Sequence, residues 1–121
     1  MKFLNSPRLL NREFRRLFKQ YRHLDWAIAW ATDRHAAFEL LSRYRAKIRR
    51  VVVGTQFHQT SPSFIDSFFT VPDVRFRFDQ EGLNGVFHPK LYLFSNDESD
   101  WEVVIGSANF TAGAFTGNTE H

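Results

Sequence analysis

At 121 residues the chain is long enough for one domain with a core, and a 43% hydrophobic content with 14 Phe argues against wholesale disorder. The absence of cysteine excludes disulfide frameworks and thiolate metal sites. A net charge of +3 and a pI near 9.6, carried mostly by Arg, fit a polyanionic partner without requiring one. There is no apolar run of membrane-spanning length and no signal-like N-terminal core. The sequence therefore reads as a cytoplasmic protein with no membrane partner.

Ser6-Pro7 predicts a helix start, with Ser as N-cap and Pro in the first turn. Leu10, Phe14, Leu17, Phe18 and Tyr21 then share one helical face, and Arg8, Arg12, Arg15, Lys19 and Arg22 share the other. Such a basic side is either a solvated surface or a track for nucleic-acid phosphate. Asp25 to Ala31 predicts a buried strand. Thr32 or Asp33 is expected to cap a second helix with a buried stripe of Ala37, Leu40, Leu41, Tyr44 and Ile48. Arg43, Arg45, Lys47, Arg49 and Arg50 cluster at its end, where the helix dipole favours cations. Val51 to Val53 reads as a buried strand ended by Gly54.

Ser61-Pro62 repeats the helix-start signature, with Phe64, Ile65, Phe68 and Phe69 as its apolar face. Val74, Phe76 and Phe78 alternate with Arg75 and Arg77 as in a half-buried strand. Val86 to Phe94 and Trp101 to Ile105 predict two more strands, paired as a hairpin across the polar turn Ser95 to Asp100. Thr111 to Thr119 is small and polar and has room for a short helix. The order predicts an α/β fold with a mixed, mostly parallel sheet flanked by helices.

Chemistry concentrates near the C-terminal end. His88 and Lys90, two apart on a strand, point to one face with Tyr92, and this face is expected to be polar. Phe87, Leu91 and Leu93 are expected to face apolar packing. Gly106-Ser107-Ala108-Asn109 follows the next strand and can bring two more polar side chains alongside. A His-x-Lys pair alone is common on solvated strands. Joined to a Gly-Ser-x-Asn turn it supplies a nucleophile, a fixed positive charge and neutral donors, which suit a phosphodiester.

The two segments, FHPKLYLF and VIGSANF, resemble the HxK…GSxN signature of the phospholipase D superfamily, especially its bacterial nuclease-type members. The resemblance implies that His88 is a covalent nucleophile forming a phosphohistidine. Lys90 and Asn109 would stabilise phosphate oxygens, and Ser107 would bind phosphate or shape the turn. Glu120, in Asn118-Thr119-Glu120, is either the carboxylate that orients His88 or an exposed tail residue. Arg8, Arg12, Arg15 and Lys19 are the candidate substrate-binding cations. No metal-ligand spacing is present, so no cofactor is expected and activity is expected to survive a chelator.

Family chemistry uses two histidines per phosphate, whereas His23, His35, His58 and His121 lack the motif context. A homodimer with His88 of each chain facing across a twofold axis follows as the expectation. Two departures stand out. Ser95 occupies a place where many members have an acid, and the chain ends at His121 where the family fold normally continues into another strand. The expectation is thus a single phospholipase D-like domain over residues 1–121, lacking one or more C-terminal strands. The leading function is a metal-independent nuclease acting on DNA. The alternatives are a non-catalytic nucleic-acid-binding or dimerisation module left by truncation, and a phospholipid head-group hydrolase or transferase.

Overall fold

The computed structural model describes residues 6–56, 59–78, 89–105 and 110. The expected first helix is α1, Pro7–Gln20, with the Ser6 hydroxyl accepting from the Leu9 N–H at 3.2 Å. β1 (His23–Ile28), α2 (Ala36–Arg43) and β2 (Ile48–Gly54) follow, then α3 (Pro62–Phe68), β3 (Val74–Arg77), β4 (Lys90–Asp97) and β5 (Asp100–Ile105). Ser61 caps α3 as its sequence predicts.

The five strands form one sheet in the order β3-β2-β1-β4-β5. β1 pairs in parallel with β2, and β2 with β3, whereas β1–β4 and β4–β5 are antiparallel. The mixed α/β expectation holds, but the sheet is only partly parallel. Helical crossovers produce the parallel half, and the direct β4–β5 hairpin can only be antiparallel.

Packing explains the sidedness. Phe14 and Phe18 of α1 lie against Trp26 of β1 and Phe94 of β4, with ring centroids 5.5 to 5.8 Å apart. Phe14 also meets Tyr92 edge-on at 5.1 Å. Phe38 of α2 joins Phe64 and Phe68 of α3, and Phe64 reaches Phe76 of β3. Among the described residues all three helices thus pack on one face, where Phe14, Phe18, Phe38, Phe64, Phe68, Phe94 and Phe110 bury apolar area. Arg16, between the basic and apolar faces of α1, makes a two-bond clasp on Glu102 of β5 at 2.8 and 2.9 Å. The Tyr21 hydroxyl donates to the same carboxylate at 2.6 Å. Lys47 Nζ donates to the Phe18 and Tyr21 carbonyls at the end of α1.

Several boundaries differ from expectation. α2 is capped by His35 rather than by Thr32 or Asp33, and it ends at Arg43. Ile48 begins β2 instead of extending the helical stripe, so the basic cluster is divided. Arg43 belongs to the helix, Arg45 and Lys47 to a short 3-10 turn, and Arg49 and Arg50 to the strand. The dipole argument therefore applies to Arg43 alone. Arg49 instead pairs with Asp25 on the neighbouring strand at 2.7 Å. Phe78 lies beyond β3 and is exposed, and the segment 111–119 lies outside the described residues.

Candidate active site

Register brings the flanks of both motifs to one end of the sheet. Lys90, the first residue of β4, pairs with Ile28 at the end of β1, and the Ala29 N–H donates to the Pro89 carbonyl at 2.8 Å. Ile105, just before the Gly-Ser-x-Asn turn, pairs with Leu91. Phe110, just after Asn109, forms a parallel bridge with Ala31 and accepts from the Thr32 N–H at 2.8 Å. Backbone contacts near the carboxyl end of β1 thus anchor residues bordering each motif. His88, Ser107, Asn109 and Glu120 lie outside the described residues.

The face assignment on β4 is reversed from expectation. Tyr92 and Phe94 are buried at 1% and 0% exposure, while Leu91 is 36% exposed. The rings of α1 select the aromatic side of the strand, because Tyr92 and Phe94 dock edge-on against Phe14. Lys90 shares that side by strand alternation, but it is half-buried at the end of the layer rather than on an open polar face. A cation at the end of a hydrogen-bonded strand has the charge that an anionic oxygen would need.

The candidate substrate cations Arg8, Arg12, Arg15 and Lys19 are all exposed on α1. The helix runs from the motif end toward the hairpin end, since Phe14 meets Tyr92 whereas the Gln20 carbonyl accepts from Asn96 Nδ2. Arg8 and Arg12 therefore occupy the half nearer Lys90. Ser95 is buried in β4 with its hydroxyl unpartnered among the described residues. A neutral hydroxyl is less costly to desolvate there than a carboxylate.

His35 is a residue whose place the motif search missed. It is 6% exposed, and its Nδ1 accepts from the Phe38 N–H at 3.2 Å while Nε2–H donates to the Thr32 carbonyl at 2.8 Å. Burial pushes its pKa below the usual 6.5, against weaker raising effects from the Thr32 and Phe110 backbone and from Asp33 and Glu39. With both ring nitrogens engaged, His35 has no free lone pair to offer a metal. Only its position just before an apolar helical stripe could have signalled a cap. Among the described residues there is no cluster of three or more metal-ligating side chains.

Residues 83–121, which contain both motifs, match the family model of the NgoFVII restriction endonuclease N-terminal PLD domain. The match supports a nuclease-type member of the phospholipase D superfamily. It also supports a nuclease-type function and agrees with the α/β architecture. Comparisons with curated proteins and with solved structures returned no match. No helix among the described residues is long and apolar enough to cross a membrane.

Proposed function

We propose that this chain is a metal-independent phosphodiesterase that cleaves DNA through a phosphohistidine, in a composite site made by two copies. The observation that carries the reading is the convergence of both motif flanks at one end of the sheet, with Lys90 anchored opposite Ile28. The matched family is described as a restriction endonuclease domain, which favours DNA over a phospholipid head group. The exposed row Arg8, Arg12, Arg15 and Lys19 adds a phosphate-binding track.

In this mechanism an imidazole nitrogen of His88 attacks phosphorus. A P–N bond forms, the P–O bond to the leaving group breaks, and His88 of the second copy gives that oxygen its proton. The second histidine then takes a proton from water, which attacks phosphorus and releases the first. Lys90, Asn109 and Ser107 stabilise the charged oxygens, and Glu120 holds the His88 tautomer.

The test compares the purified chain with His88→Ala on DNA in the presence of EDTA. The expected result is cleavage by the wild-type dimer, an acid-labile phosphoenzyme, and a loss on the order of 10⁴-fold in the variant. Cleavage unchanged in the variant, or abolished by EDTA and rescued by a divalent ion, overturns it. If neither protein cleaves but both bind DNA with steep salt dependence, the chain is a binding module. Monomers under cleaving conditions, seen by light scattering, remove the two-copy site.

A further inference from the structure

We propose that His35 is a positioning residue for the second motif: it ties the start of α2 to Phe110, the residue that follows Asn109. Its catalytic consequence rests on the phosphodiesterase reading above.

The argument begins with residue choice. Ser, Thr, Asp or Asn normally caps a helix, because a short side-chain oxygen reaches the first free N–H groups. Here a histidine takes that place, reached through Arg34 in the left-handed backbone region at φ 63°. Its ring supplies two things a short cap lacks. One is an edge contact with the Phe110 ring, with centroids 4.7 Å apart at 73°. The other is the Nε2–H bond to the Thr32 carbonyl, on the same residue whose N–H holds the Phe110 carbonyl. One side chain thus braces Phe110 from its ring side and, through Thr32, from its backbone side.

The partners also fix the tautomer. A backbone N–H can only donate, so Nδ1 facing Phe38 must be unprotonated and the hydrogen sits on Nε2. A second proton would set two donors against each other and release the cap. Thr32, Phe38 and Phe110 surround the ring, and the carboxylates of Asp33 and Glu39 act on it, both favouring protonation. His35 exchanges no proton with substrate in this role.

Amide NMR of the His88→Ala chain provides the first test, free of interference from the motif histidine. The Phe110 and Asn109 resonances should follow one protonation step with a midpoint below 6.5, the ordinary histidine value. The second test is His35→Asn, which keeps a capping oxygen but removes the ring. Its single-turnover cleavage should fall about tenfold or more, as misplacement of a positioned group does, with DNA affinity within about twofold of wild type. Asn109 resonances indifferent to the His35 titration, or wild-type cleavage by His35→Asn, overturn the inference. If the wild-type chain does not cleave, the phosphodiesterase reading fails by itself and the resonances alone decide the positioning. They also decide it if His35→Asn does not fold.

Discussion

On β4 and β5 the two faces of the sheet share an apolar character and differ in what covers them. Tyr92, Phe94 and Val104 face the helices and are at most 4% exposed, while Leu91, Trp101 and Ile105 on the other side are 36%, 53% and 36% exposed. That second side forms an open groove of about 890 Å³, lined by Leu91, Leu93, Trp101, Val103 and Ile105 together with polar side chains that include Arg49 and Glu98. Hydrophobicity alone therefore does not place a residue in the core. Burial needs a partner layer, and among the described residues three aromatic helices supply one to a single face.

The largest effect that can break this contrast is in the covered layer. Phe14→Ala removes a ring packed against Phe18, Trp26, Tyr92 and Phe94 and should cost about 3–5 kcal/mol in urea unfolding. A loss below about 1 kcal/mol would mean that the helical layer is loosely docked.

A smaller effect is expected where the covered layer meets its edge. Glu102→Gln weakens the Arg16 clasp and the Tyr21 bond, but Arg16 is partly solvated, so about 1 kcal/mol is expected. Burial first, then the bond to Glu102, pushes the Tyr21 phenol up to about 12. The folded state therefore keeps a proton that the unfolded chain releases near 10, and stability should fall as pH rises from 10 toward 12. The alkaline fall should be shallower in Glu102→Gln. Parallel curves for both proteins would remove the Glu102 contribution.

The smallest effect belongs to the open face. Trp101→Ser should shift stability by less than about 0.5 kcal/mol, because its ring is already half in water. A loss approaching that of Phe14→Ala would show that this face is covered in solution.

Much of this organisation is legible in the sequence because it is local. Ser6-Pro7 and Ser61-Pro62 start helices through side-chain caps, and the α1 stripe follows the helical period. The resemblance to the matched family was legible from His88-x-Lys90 and Gly106-Ser107-x-Asn109, a pattern of residue types that needs no coordinates. Less legible was the end of α2. Ile48 continues the helical spacing as well as it begins a strand, and only its pairing with Leu24 decides between them. His35 was hidden because nothing in its neighbours announces a cap made by an imidazole.

By itself, then, the sequence determined where α1 and α3 begin, which residue types carry the chemistry and in what order the elements come, since each depends on residues close along the chain. Tertiary structure alone decided which side of β4 lies inside, how far the sheet is parallel and what His35 holds. Leu91, Tyr92, Leu93 and Phe94 are all apolar, so alternation cannot choose between them. The choice comes from the α1 rings, which fit against the aromatic pair and leave the aliphatic pair outside.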